Sequence, residues 1–216
     1  SPSPPPPPPP PLPPSPVVLA SFDAQRGSQR EWQVTNDPVM GGSSHSSLSV
    51  TDSSATFAGR CAIVPFLRAP GFCKMSTRGA LPPFPDASAF YEGGALHMTL
   101  LSNTPTYEGF KVAFWAAHME RLPGQRHGVP AFKAAFAVPR TPAGQLVSVR
   151  IPWTSFSAGT SEFSGRCDTR DPTGLQHHCC GADHPERCPK AQHLAAIEGL
   201  SVWAEGVEGD FDLELH

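Results

Sequence analysis

From Val17 onward the chain is a succession of short β-like runs, each bounded by glycine, proline, serine, asparagine or aspartate. The runs fall at 17–22, 32–34, 46–51, 54–58, 71–77, 95–101, 108–116, 131–138, 145–151, 199–204 and 209–215. Strands this short, divided by turn signals, predict an all-β sandwich. Phe110, Val112 and Phe114 alternate with Lys111 and Ala113; Phe211, Leu213 and Leu215 alternate with Asp210, Asp212 and Glu214. A period of two puts each set on one face, so the three C-terminal carboxylates are expected on a solvated sheet face. Trp32, Phe57, Phe72, Phe110, Trp153, Phe156 and Phe211 are expected to fill one core between two sheets. The one helical candidate is a turn or two at 190–198.

Residues 1–16 cannot join that core, because 12 of the 27 prolines fall there. The uninterrupted run Pro4, Pro5, Pro6, Pro7, Pro8, Pro9, Pro10, Pro11 lacks amide donors and has fixed φ, which predicts polyproline II. At about 3.1 Å per residue the arm reaches roughly 50 Å. It reads as a spacer, a docking arm or a glycan-bearing stalk. In composition it resembles the hydroxyproline-rich glycoproteins of plant and algal surfaces. The expected organisation is an arm over 1–16 and a sandwich over 17–216. Net charge is −3 with the two signs interspersed, which argues against a nucleic-acid surface. No apolar run approaches the roughly 20 residues a membrane helix needs. The chain opens without Met or an apolar leader and reads as a processed product.

Six cysteines, Cys61, Cys73, Cys167, Cys179, Cys180 and Cys188, form an even set. They are read as disulfide partners in an oxidising compartment. Cys61 and Cys73 bracket a short apolar segment that a bridge would staple, and the other four crowd together. His177, His178 and His184 lie among them, so a zinc knuckle competes with the disulfide reading. Adjacent Cys179 and Cys180 suit one tetrahedral ion poorly, which favours bridges and no metal.

One segment is more distinctive than the rest: Trp32-Gln33-Val34-Thr35-Asn36-Asp37-Pro38-Val39-Met40-Gly41-Gly42-Ser43-Ser44. An aromatic anchor, an Asx-Pro turn and two glycines specify a fixed loop against a core. The string resembles the signature of the NADH:ubiquinone oxidoreductase intermediate-associated protein 30 family. Later landmarks agree in order: Phe57 and Gly59, Gly71-Phe72, Arg78, Tyr107 to Lys111, Val149 to Trp153 with Phe156, Ile197 to Leu200, and Gly209 to Leu213. Together they span about 19–215, interrupted by a cysteine-rich insertion near 164–190 that the family pattern lacks. The resemblance implies a galactose-binding-like jelly-roll sandwich. It further implies candidate sugar contacts at Asn36, Asp37, Trp115, His118 and Trp203, although Trp115 and Trp203 are better read as core strand residues, and a role in assembling respiratory or photosynthetic complexes in organelles.

No nucleophile elbow, phosphate loop or dinucleotide fingerprint occurs, so no catalytic residue, cofactor or metal is expected. The first reading is a non-enzymatic extracytoplasmic structural module that docks or self-assembles through its arm. Its partners would be a protein or neighbouring copies, with glycans as a further ligand. The alternative is an assembly factor or accessory subunit of a respiratory or photosynthetic membrane complex in a mitochondrion or thylakoid lumen. A carbohydrate-binding module is the weaker third reading.

Overall fold

A computed structural model describes residues 15–23, 28–67, 70–79, 82–123, 125, 128–142 and 144–216. The oligoproline run and most of the proposed arm lie outside these, as do the side chains of Val39 and Met40. Among the described residues eleven strands form two antiparallel sheets, an all-β sandwich. They are β1 (Trp32–Asn36), β2 (His45–Val50), β3 (Ala55–Cys61), β4 (Phe72–Thr77), β5 (Ala95–Ser102), β6 (Phe110–Ala116), β7 (Phe132–Ala135), β8 (Val147–Pro152), β9 (Ser157–Ala158), β10 (Ile197–Glu205) and β11 (Gly209–Leu215). One sheet runs β1-β4-β10-β6-β7-β9 and the other β2-β3-β11-β5-β8, so most connections cross between layers. Among the described residues the one α-helix is short, α1 (Ala191–Ala195).

The last two strands complete both layers. β10 lies between β4 and β6, and β11 between β3 and β5. Phe211, Leu213 and Leu215 point inward as their alternation predicts, and Phe211 meets Phe57 at 4.9 Å and Phe110 edge-on at 6.4 Å. A second knot gathers Phe114, Phe132, Trp153 and Phe156, with ring centroids 5.2–5.7 Å apart. Trp153 spends its one polar atom on the Phe90 carbonyl at 2.9 Å, so the ring is buried without an orphaned donor. Asp210 faces outward and pairs with Arg60, as a solvated face requires.

Three expectations are corrected. Residues 17–22 are no strand. The segment is a loop whose main chain is held by side chains: Arg30 donates to the Leu19 carbonyl at 2.9 Å and to Pro82 and Pro83. Phe72 points outward instead of into the core, because Cys73, Met75 and Thr77 take the inward positions of β4. Cys61 and Cys73 are free thiols and not a staple. They sit on β3 and β4, in opposite sheets, where Cys61 donates to the Gly71 carbonyl and Cys73 to the Arg60 carbonyl. Burial pushes both thiols up, Cys73 to about 12, which suppresses the thiolate that exchange requires.

Candidate functional site

The motif loop is a turn organised around one carboxylate. Pro38 sets φ at the start of a 3-10 turn over Asp37–Met40, and Gly41 closes it at φ 86°. Asp37 is buried and accepts from the Ser44 amide (2.8 Å), the Ser44 hydroxyl (2.6 Å) and the Phe72 amide (3.0 Å). Ser44 also accepts from the Ala62 amide at 2.9 Å. A Cβ on Gly42 would stand 2.2 Å from the Asp37 carboxyl carbon, so only glycine fits. Asn36 bonds Ser46 of the other sheet at 2.7 Å. Trp32 is half-buried against Phe22, and Pro38 and Ser43 are exposed. The motif therefore ties β1, β2, β3 and β4 together, and its Asn36 and Asp37 side chains are committed internally.

The insertion is a second rigid unit. Bridges Cys167–Cys179 and Cys180–Cys188 close loops of 12 and 8 residues, each worth about 2.5–3 kcal/mol by loop entropy. At its centre His177 is buried, with Nδ1 at 2.8 Å from the Gly159 carbonyl and Nε2 at 3.0 Å from Asp171. The Thr173 hydroxyl foremost, then His177, holds the Asp171 carboxyl at about 2. His178 and His184 stack at 3.9 Å. No group of three or more histidine, cysteine or acidic side chains poised for a metal occurs among the described residues. The insertion docks on the outside of the six-stranded sheet, where the Cys180 amide donates to Ser157 of β9 and Gly165 accepts from Lys111.

That outer face holds the densest buried charge in the described structure. Register places Thr35, Lys74, Trp203, Lys111 and Ala135 on one rung across five strands. Lys111 and Lys133 both reach Glu205, at 2.9 and 2.8 Å, and all three side chains are at most 12% exposed. Burial alone would raise the Glu205 carboxyl, but Lys133 and Lys111 hold it at about 2. Burial lowers Lys133 from the usual lysine value, opposed by Glu205. Lys133 also lies 3.9 Å from the Trp203 ring centre and Lys74 lies 5.0 Å from it, while Phe72 packs at 5.5 Å.

Of the expected sugar contacts, Trp115 and Trp203 do share this face. They are four residues apart along the β6–β10 ladder, about 13 Å. Trp115 lies flat over Gly199, where a Cβ would meet its ring at 1.8 Å. His118 is exposed in the turn after β6, with φ 62°. Trp115, His118 and Trp203 therefore do not form one platform with Asn36 and Asp37. The Lys111–Glu205–Lys133 cluster and the His177–Asp171 pair were missed from the sequence. The charged cluster's only trace is Lys111 between Phe110 and Val112, both core residues; its partner lies 94 positions on.

Two antiparallel sheets joined by a carboxylate-centred turn, with a disulfide-bonded segment on one outer face, define an all-β sandwich module. The chain matches the family described as Complex I intermediate-associated protein 30 over residues 20–172 and belongs to it. The match ends inside the cysteine-rich segment, and β10 and β11, which complete both sheets, lie beyond it. No curated protein matches the chain.

Proposed function

We propose that this protein is a non-enzymatic assembly factor or accessory subunit of a respiratory or photosynthetic membrane complex, acting by protein contact. The observation that carries the reading is the family match over residues 20–172, since the family is described by its association with an intermediate of complex I. An apolar projection supports contact with a partner: Phe66 is 80% exposed on the Pro65–Leu67 turn, with Ile63 beside it. Among the described residues no helix is long and apolar enough to cross a membrane, so membrane-complex association would run through such contacts. The two bridges fit an oxidising organellar space, a lumen or intermembrane compartment. A cell-surface module built on an oligoproline arm draws on residues that mostly lie outside the described ones, and the family match favours the organellar reading.

Affinity capture tests it. The tagged chain, recovered from organellar membranes solubilised in mild detergent, should enrich subunits of one membrane complex. Replacing Phe66 by Asp should cut that yield about tenfold, the scale of an interface anchor. Recovery of wall or fibre glycans alone would contradict the proposal.

A further inference from the structure

The outer face of the six-stranded sheet carries more positive charge than it neutralises. Lys111 and Lys133 share the single carboxylate of Glu205, and all three groups are nearly out of water. Lys74, half-buried on the adjacent strand, has its ammonium 5.0 Å from the Trp203 ring centre and in no hydrogen bond or ion pair among the described residues. Burial lowers its ammonium, opposed only by Glu205. Three ammoniums against one carboxylate leave an excess of two positive charges on a chain whose net charge is −3. Excess charge of one sign on a partly buried face is complementary to an opposite charge brought by a partner.

The insertion meets this face on its β6–β9 side. It reaches Lys111 through Gly165 and β9 through Cys180. Thr35, Lys74, Trp203 and Phe72 lie on three adjacent strands on the other side. Trp203 offers a partly buried ring beside those ammoniums, with its indole nitrogen already bonded to Ser201 at 2.8 Å. Such a surface suits a carboxylate on a short apolar stem, which seats its oxygens at Lys74 and its methylenes on the indole.

We propose that the Lys74–Trp203–Lys133 face is the docking site for an acidic segment, a run of aspartate and glutamate, on the partner protein. This rests on the protein-partner reading above and adds the partner's chemistry. Lys74 and the lysine field hold the carboxylates, Trp203 packs their stems, and the disulfide-bonded insertion fixes one wall.

A decaglutamate peptide titrated against the full chain, followed by tryptophan fluorescence at low and moderate salt, tests it. Binding should weaken several-fold as salt rises. It should weaken about fivefold in Lys74→Gln and more than about tenfold in Lys74→Glu, with melting unchanged in the Gln variant. Binding that is equal in wild type and Lys74→Glu, no binding, or preference for an oligogalacturonate over the peptide would each overturn the proposal. Membrane-complex capture that survives Lys74→Glu together with absent peptide binding defeats this site alone. Peptide binding lost in the variant, with no complex captured by wild type, keeps the site and defeats the complex-assembly reading.

Discussion

Replacing Asp37 by Ala removes the acceptor of three hydrogen bonds in the motif turn: the Ser44 amide and hydroxyl and the Phe72 amide. Bonds to an ionised acceptor contribute about 1.5–3 kcal/mol each, and a buried donor left unpaired costs about 1–3 kcal/mol. The Ser44 hydroxyl can fall back on the Ala62 carbonyl, 3.2 Å away, so its loss is discounted. Two stranded amides and a weakened hydroxyl sum to about 4 kcal/mol. For a domain of this size one kcal/mol moves the melting point by about 2–4 °C, so Asp37→Ala should melt about 8–16 °C lower. Asp37→Asn keeps one acceptor oxygen and should lose about half as much. Scanning calorimetry of the three proteins side by side measures this. An Asp37→Ala melting point within about 3 °C of wild type would refute the carboxylate as the hub of the loop.

Trp153→Ala should destabilise by about 3–5 kcal/mol in denaturant titration, because the ring fills the second aromatic knot. Glu205 has a folded value of about 2, below its ordinary 4.5, so its stabilisation is complete above pH 4.5 and is lost as pH falls toward 2. Glu205→Gln should flatten that acid limb in pH-dependent melting and cost about 3–5 kcal/mol at neutral pH, where two buried ammoniums lose their counter-ion. Under denaturing conditions the unreduced chain should titrate two thiols, Cys61 and Cys73, and six after reduction. Reduction should loosen the insertion while the far-ultraviolet β signal persists, since neither bridge joins the two sheets.

Local signals carried most of the fold. Alternation found β6 and β11 because each strand's inward residues are large and apolar, and the Asn36-Asp37-Pro38 turn was legible from its own chemistry. The strand β9 was missed since two residues, Ser157 and Ala158, have no period to read. Residues 17–22 look strand-like, yet Arg30 and two proline carbonyls, distant in sequence, claim the segment's neighbourhood. Phe72 reads as core by size, but register decides its face. The Cys61–Cys73 staple failed for a related reason: spacing of a hairpin base does not reveal that the two residues belong to opposite sheets. The lysine cluster depends on pairing β6 with both β7 and β10, which no local pattern states.

The central claim is that this sandwich serves the building of a membrane complex through protein contact. Depleting the protein in its own organism and resolving organellar membranes on native gels tests that most directly. One respiratory or photosynthetic complex should fall in amount while a smaller partial assembly accumulates, and wild-type protein should restore it. Unchanged levels and sizes of all these complexes in the depleted cells would contradict the account.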